Sequence, residues 1–150
     1  MNEPERIREA LETAQTVAVV GCSPNPARAS HAITRYLMAQ GYRVIPVNPG
    51  HREILGQPCF PSLSAIPPEV RVDIVDVFRR SDAVAPVADE AIARGVPFFF
   101  MQLGVEDGPS ASRLERAGAG VAMDRCILVE HERHGIAPKS RNDSRGRGVS

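Results

Sequence analysis

The sequence lacks an excess of charge of either sign, because its 150 residues carry 18 lysines and arginines against 18 aspartates and glutamates. A nucleic-acid-binding domain usually shows a basic footprint, which this composition does not supply. No apolar run approaches the roughly 20 residues of a membrane span. The charged opening MNEPERIREALETA also has no apolar centre of the kind that a secretory signal needs. We therefore expect a cytoplasmic protein that binds neither nucleic acid nor membrane.

Cysteine is scarce and widely spaced, with Cys22, Cys59 and Cys126 as the only three in the chain. No CxxC pair is present, so the pattern does not favour a zinc site or a thioredoxin-like redox centre. We predict reduced thiols and no metal site. At this length, with 43% hydrophobic residues, one domain can bury a core without a disulfide or a metal.

Short apolar runs alternate with helical patterns along most of the chain. Helices are predicted at the amino terminus around Ile7 and Leu11 and over 30–41, 81–95 and 109–120, and strands over 16–21, 42–49, 72–78, 96–104 and within 121–130. We expect Ser30 to cap the second helix, and Ser81 or Asp82 to cap the third. This alternation predicts parallel βαβ units, and hence an α/β fold with a Rossmann-like, doubly wound sheet of about five parallel strands.

The domain is predicted to cover residues 1–134. Four prolines in the crossover between the second and third strands prevent a long helix there, although 62–66 can form one turn. Residues 135–150 are polar, rich in Gly, Ser and Arg, and without periodicity, so we predict a disordered tail.

Small, polar and cationic residues follow the predicted strands at their carboxyl ends, which is where ligands bind in doubly wound sheets. Gly21 allows a ligand to approach the backbone closely, and Ser23 with the following amides can donate to phosphate oxygens. The predicted helix near Ser30 points its positive end at the same place, and Arg28 adds a cation. A plain strand-to-helix turn with a solvated Arg28 is the alternative interpretation.

The glycines of a dinucleotide-binding turn are missing. That turn needs G-x-G-x-x-G and an acidic residue at the end of the second strand, whereas here the loop reads GCSPNP and the second strand ends at Asn48. A Walker loop is absent as well, because Gly-Lys-Ser/Thr occurs nowhere. The loop therefore suits phosphates, but the element that reads the ribose of NAD is lacking.

Five motifs in this order resemble the small CoA-binding proteins, a stand-alone form of the CoA-binding Rossmann-like domain of succinyl-CoA synthetase. They are VAVVGCSPNPARAS, YRVIPVNP, VDIVDVFRR, FFFMQLG and MDRC, within about residues 5–134. The resemblance implies coenzyme A, or an acyl-CoA, bound across the carboxyl edge of the sheet. It assigns the first loop to Gly21, Cys22, Ser23 and Pro24, the phosphates to Arg28 and Ser30, the ligand's flank to Asn48 and Pro49, its adenosine end to Val77, Phe78 and Arg79, and its far side to Gln102 and Gly104.

CoA carries a pyrophosphate and a 3′-phosphate, so it needs several cations. The candidates are Arg28, Arg79, Arg80 and Arg125. Phe78 offers either a stacking wall for adenine or a side chain for the core. The family commonly has Ala where Cys22 stands, which leaves the backbone donors intact. Cys22 precedes a helix, where a thiolate is favoured, so a mixed disulfide with the CoA thiol is one hypothesis and a small buried filler is the other.

Catalytic groups are not evident in the sequence. The four histidines, His31, His51, His131 and His134, form no recognisable triad, and we expect them on the surface. Asp73 and Asp76 fall on opposite faces of a strand and do not make a catalytic pair; Asp124 and Arg125 suit a structural ion pair or hydrogen bonds. We therefore expect a CoA-binding module more than an enzyme. The alternatives are an NAD(P)-dependent redox enzyme or domain, and a subunit that lends CoA to a protein partner.

Overall fold

Five parallel strands form the central sheet in the computed structural model, which describes residues 1–140. The strands of the chain are β1 Thr16–Val20, β2 Arg43–Val47, β3 Glu53–Ile54, β4 Gln57–Pro58, β5 Ile74–Val77, β6 Phe98–Met101 and β7 Gly120–Met123. The sheet has the order β2-β1-β5-β6-β7, and β3 and β4 form a separate antiparallel hairpin. Every residue of β1, β5 and β6 is buried, which explains why these strands are continuous apolar runs in the sequence.

Helices cover both faces of the sheet, as a doubly wound fold requires. They are α1 Glu3–Thr13, α2 Ala29–Ala39, α3 Val84–Arg94, α4 Gly108–Arg116 and α5 Ile127–Arg133. The apolar sides of α1, α2 and α5 pack with one core cluster, and those of α3 and α4 pack with a second cluster across the sheet. The predicted Rossmann-like α/β architecture is confirmed. No helix within residues 1–140 is both long and apolar enough to pass through a membrane.

The segment 121–130 contains the predicted fifth strand, but also a helix that was not predicted. β7 ends at Met123, Asp124 takes a positive φ of 59°, and α5 begins at Ile127. Ile127 is fully buried against the sheet. A short apolar run such as CILV fits a buried strand and a buried helix equally well, so periodicity does not separate the two.

The predicted helix caps were wrong. Arg28 occupies the N-cap of α2, and Ser30 lies in its first turn. Ser81 and Asp82 belong to a short 3-10 turn, Ser81–Ala83, that precedes α3 and leaves Ala83 at the cap. In the crossover the predicted single turn is present as a 3-10 turn, and the β3–β4 hairpin was not predicted.

The chain beyond residue 134 remains in contact with the domain where it is described. Ile136 is buried, and the Lys139 ammonium donates to the carbonyl of Glu12 at the end of α1. Residues 141–150, which hold most of the predicted disordered tail, lie outside the described residues, so both that call and the domain boundary at 134 stay predictions.

Candidate functional site

The chain reverses its direction of travel across the sheet at β1, which lies between β2 and β5. The loop after β1 begins at Gly21, whose amide donates to the carbonyl of Val47 in β2. Gly21 has a φ of +86°, and a Cβ there would lie 2.5 Å from the carbonyl oxygen of Phe78. Only glycine therefore lets this loop pass so close to the end of β5, at the switch point where ligands bind in doubly wound sheets.

The loop between Gly21 and α2 is held by its own side chains. Ser30 Oγ accepts the amide of Ser23, Ser23 Oγ accepts that of Asn25, and Asn25 Oδ1 accepts that of Ala27, each at 3.0 Å. These three amides therefore serve the loop. The amides of Ala29 and Ser30, in the first turn of α2, have no acceptor among residues 1–140. Helix amides without acceptors make that turn the part of the loop suited to an anion.

Asn48 ties the first loop to the end of β2. Its Nδ2 donates to the carbonyl of Cys22 at 2.9 Å, and its Oδ1 accepts the amide of Gly50 at 2.8 Å. Its backbone carbonyl accepts the Cys59 thiol. Asn48 thus holds the first loop through Nδ2 and its own loop after β2 through Oδ1, while the adjacent Pro49 is exposed.

Cys22 is fully buried behind this loop. Its sulfur lies 3.4 Å from Thr34 Oγ1, and burial raises the pKa of the thiol, with the hydrogen bond to Thr34 opposing part of that rise. The raised pKa is opposite to the expectation of a thiolate favoured by the helix end, because burial disfavours the charged form. Cys22 fits the role of a small buried residue.

The four candidate arginines divide into two groups. Arg80 forms a surface ion pair with Asp82, and Arg125 pairs with Glu3 and lies 4.0 Å from Glu130. Within residues 1–140, no carboxylate lies within ion-pair distance of Arg28 or Arg79. Of the four candidates, Arg28 and Arg79 are thus the two without an ion pair within residues 1–140.

A cavity of about 270 Å³ lies beside the switch point, on the face that α3 covers. It is smaller than the roughly 300–1,000 Å³ of pockets that hold whole ligands, so it suits one part of a larger molecule. The predicted residues Pro49 and Arg79 line it. The remaining lining residues are Val20, Val47, Pro61, Ser62, Leu63, Ala83, Pro86, Val87 and Glu90. Sequence reasoning missed those from the crossover and from α3, because it considered only the residues that directly follow each strand.

Val77 is the last residue of β5, and Phe78 directly follows it. Val77 is fully buried in the core, and Phe78 is partly buried with the cluster on the α2 side, which is the opposite face from the cavity. Phe78 also lies directly against Gly21. Both residues therefore sit close to the first loop, and Phe78 belongs partly to the core.

Gln102 and Gly104 form the far side of the edge. Gln102 is buried, and its Oε1 accepts the amide of Ile127 at the start of α5. The exposed Gly104 donates its amide to Asp124 Oδ1 at 2.7 Å, so Asp124 has the structural hydrogen bond expected of it. The loop after β6 is thus held by two side chains, Gln102 and Asp124.

Two of the histidines are not on the surface as predicted. His31 and His131 are buried, whereas His51 is exposed and His134 is partly buried. The Nδ1 atom of His131 lies 2.7 Å from the Tyr36 hydroxyl, and burial lowers the pKa of this histidine. The buried His31 belongs to α2, and the buried His131 belongs to α5.

Asp73 and Asp76 have separate environments, as their spacing predicted. Asp73 Oδ2 accepts the amides of Gln15 and Thr16, and its Oδ1 accepts Arg71 Nε. Burial acts to raise the pKa of Asp73, but these hydrogen bonds outweigh it and lower the pKa. Asp76 is fully buried within β5.

A second, larger cavity of about 640 Å³ lies at the opposite, amino edge of the sheet. It is lined by α1 and by the residues around Thr16, Asp73 and Phe98. The chain enters each strand of the sheet at this amino edge. Within residues 1–140, the α2 amides without acceptors, and Arg28 and Arg79 without ion pairs, lie instead at the carboxyl edge. The groups suited to a phosphorylated ligand are therefore at the carboxyl edge, where Arg79 also lines the smaller cavity.

Comparison with known proteins gives one family. Residues 15–132 match the model described as "CoA binding domain". The chain is 38% identical over 133 residues to the uncharacterized protein YneT of Bacillus subtilis (strain 168), covering 87% of this chain and 97% of that one. A solved structure of a hypothetical protein from Pyrococcus horikoshii OT3 has a TM-score of 0.82 at 34% identity, covering 87% of this chain and 90% of that chain.

An enzyme relative contains the same domain as a small part of its length. The chain is 41% identical over 133 residues to the ADP-forming acetate–CoA ligase I of Archaeoglobus fulgidus. That match covers 85% of this chain and 17% of the ligase. With the family model covering most of the chain, and with the loop, helix end and cavity described above, this protein belongs to the CoA-binding domain family.

Proposed function

We propose that this protein binds coenzyme A, or an acyl-CoA, non-covalently at the carboxyl edge of its sheet. The observation that carries the proposal is the position of Arg28 and Arg79. Neither has an ion pair among residues 1–140; Arg28 caps α2 beside its free amides, and Arg79 follows β5 and lines the cavity. Membership of the CoA-binding domain family supports the choice of ligand.

The parts of CoA match separate features of this edge. In the proposed complex the pyrophosphate lies at the first turn of α2 with Arg28, where helix amides and a guanidinium together favour an anion. The adenine base occupies the cavity of about 270 Å³, whose walls include Val20, Val47 and Val87. Arg79 lines that cavity, and in the proposed complex it contacts the 3′-phosphate.

We propose binding in preference to redox chemistry with NAD(P). The loop after β1 has a glycine only at its first position, and both ends of the Asn48 side chain are engaged, Nδ2 with the carbonyl of Cys22 in that loop and Oδ1 with the amide of Gly50. Asn48 therefore takes the place of the acidic residue that would accept the ribose hydroxyls of NAD.

Isothermal titration of the purified protein with CoA, acetyl-CoA, NAD and NADP tests the proposal. We expect heat of binding from CoA or acetyl-CoA. In the Arg28→Ala protein, the loss of one charge-assisted contact should weaken CoA binding by about 10- to 100-fold. Binding of NAD without any binding of CoA would overturn the proposal, and full affinity in Arg28→Ala would remove Arg28 from the site.

A further inference from the structure

The chain after α5 is tied to the amino edge of the sheet. Ile136 is buried in the core that α1, α2 and α5 share. The amide of Lys139 donates to the carbonyl of Gln40 at 2.8 Å, and its ammonium donates to the carbonyl of Glu12 at 2.8 Å. Residues 136–139 therefore form a strap that joins α5 to the end of α1 and to the turn before β2.

Gly41 lets the strap lie directly on that turn. It has a φ of +94°, and a Cβ there would lie 2.5 Å from the carbonyl oxygen of Lys139. The ammonium of Lys139 lies 4.9 Å from the centre of the Tyr42 ring, which is a cation–π contact. The backbone, charge and ring contacts of the strap thus all depend on the position of Lys139.

His131 lies against the same tyrosine ring. Its ring centre is 5.8 Å from that of Tyr42 and 5.3 Å from that of Tyr36, whose hydroxyl lies 2.7 Å from Nδ1. The His131 carbonyl accepts the amide of Ile136, the first residue of the strap, at 3.3 Å. The Nε2 atom of His131 is buried and has no hydrogen-bond partner within residues 1–140. Protonated His131 would therefore carry a buried charge and an N–H without an acceptor.

The surroundings of His131 disfavour its charged form. In the part of the chain that the structure describes, no carboxylate lies within ion-pair distance of it. Burial raises the pKa values of Tyr36 and Tyr42, so both hydroxyls stay neutral. Burial lowers the pKa of His131, the like charge of Lys139 lowers it further, and the exposed Glu132 opposes part of that fall.

The other charged groups near the strap have partners of their own. From α1 the strap meets the carbonyl of Glu12, whose carboxylate pairs with Arg8 at 3.3 Å. His134 Nε2, at the end of α5, lies 3.6 Å from Glu130 Oε1, so protonation of His134 gains an ion pair. Of these two histidines, His131 is thus the one whose protonation opposes the closed strap.

We propose that residues 136–139 are a pH-sensitive strap, which stays closed on Tyr42 and α1 while His131 is neutral and opens when His131 is protonated. Opening takes the Lys139 charge away and lets water reach the imidazole, so the open form binds the proton more tightly than the closed form. By linkage, lower pH then favours the open form. The strap lies at the amino edge, so this inference does not depend on the proposed function.

Lysyl endopeptidase tests the strap directly, because Lys139 is the only lysine in the chain and a protease cuts a segment only after it has opened locally. The rate of this single cut, divided by the rate for a short peptide of the same local sequence, measures the open fraction. We expect the ratio to rise about 10-fold from pH 7.5 to pH 5.5, because the open form titrates near the ordinary histidine pKa of about 6.5. Circular dichroism should show the domain still folded at pH 5.5.

His131→Asn keeps an amide near the Tyr36 hydroxyl but cannot take up the proton. Its cleavage ratio should therefore change by less than about 2-fold over the same pH range. His134→Gln, on the same helix, is the matched control and should keep the wild-type rise. Exchange of the Lys139 amide, which is bonded to Gln40, is a second measurement that needs no protease and should follow the same pH course.

Gly41→Ala should open the strap at neutral pH as well, since a Cβ does not fit against the Lys139 carbonyl. Gly95→Ala is its control, because Gly95 also has a positive φ, of 68°, but a Cβ there meets nothing within 4 Å. We expect fast cleavage at both pH values in Gly41→Ala and the wild-type pH response in Gly95→Ala.

Three results would overturn the inference. The first is a wild-type cleavage ratio that is equal at the two pH values, and the second is a His131→Asn protein that keeps the full rise. The third is a rise that appears only where circular dichroism shows loss of the fold, since the whole domain then opens rather than the strap. If His131→Asn does not fold, exchange of the Lys139 amide that fails to follow the imidazole titration of His131, measured by NMR in the wild-type protein, overturns it equally.

Discussion

Asp76 is the residue whose chemistry fits its surroundings least. It lies in β5 between Val19 of β1 and Phe100 of β6, and it is fully buried. Neither carboxyl oxygen has a hydrogen-bond partner within residues 1–140. Burial raises the pKa of Asp76 well above its ordinary value, so the neutral acid is the form that the fold accommodates.

Stability should therefore depend on pH through Asp76. The folded protein retains the Asp76 proton, while the unfolded chain loses it near pH 4, so the free energy of unfolding falls as pH rises from about 4 through the folded pKa. Asp76→Asn, which stays neutral at every pH, should be more stable than wild type at pH 8. The difference should shrink toward pH 4. Urea unfolding at both pH values measures this, and a difference that does not change with pH would contradict it.

The crossover between β2 and β5 is the element that contains little regular structure and yet forms one wall of the cavity. Arg94, in the last turn of α3, holds it in place. Its guanidinium donates to the carbonyls of Ile66 and Val70 at 2.8 Å and of Pro67 at 3.0 Å. Because Leu63 and Ser62 lie just before these carbonyls, the cavity wall depends on this side chain.

Arg94→Ala should lower the free energy of unfolding by about 1.5–3 kcal/mol, the range for hydrogen bonds to a charged group. It should also weaken CoA binding, since the crossover wall loses its support. Arg94→Lys should recover only part of both, because an ammonium lacks the planar fork that reaches several carbonyls. Denaturant unfolding and titration calorimetry measure the two effects.

Arg116→Ala is the control for that change. Arg116 occupies the last turn of α4, is exposed, and has no ion pair within residues 1–140. Its replacement should alter stability by less than about 0.5 kcal/mol, as is usual for surface positions. A similar loss of stability in Arg94→Ala and Arg116→Ala would mean that Arg94 stabilises the fold only through its positive charge, and not through its hydrogen bonds to the crossover.

At the scale of the whole molecule, the two edges of the sheet differ in what they offer a ligand. The amino edge has the larger cavity, but Arg71 there is paired with Asp73 at 2.6 Å, and Glu9 also lines the walls. The carboxyl edge has the smaller cavity with Arg28 and Arg79 nearby. Within residues 1–140, Arg6 at the amino edge has no ion pair, and neither do Arg28 and Arg79 at the carboxyl edge. We propose the carboxyl edge as the site because the amides of α2 without acceptors lie there as well.

Arg6→Ala tests this difference, because Arg6 lines the amino-edge cavity and its loss changes the net charge by the same amount as Arg28→Ala. We expect CoA affinity to stay within about 2-fold in Arg6→Ala, since exposed charges more than about 10 Å apart are largely screened at 0.1 M salt. Calorimetry at 0.15 M salt makes the comparison. A loss in Arg6→Ala equal to that in Arg28→Ala would move the site to the amino edge.

Much of the fold could be predicted from local sequence. The apolar runs TVAVV, RVIPV, IVDV and FFFM are strands, and Gly95 ends α3 with a positive φ of 68°, as its place after the helical pattern predicted. The alternation of these runs with helices is enough to indicate parallel βαβ units. Helix caps and α5 could not be predicted, because Ser30 serves the loop before it and the burial of Ile127 depends on the sheet.

For the site, the sequence by itself determined Gly21 and the cations that follow the strands, because these depend on where each strand ends. Only the tertiary structure decided which arginines stay unpaired: Asp82 and Glu3 reach Arg80 and Arg125, while Arg28 and Arg79 have no such partner within residues 1–140. It also buried Cys22, which raises the pKa of that thiol, and formed a cavity lined by residues of the crossover and of α3. Desolvation and ion pairing depend on neighbours distant in the chain, and only folding supplies them.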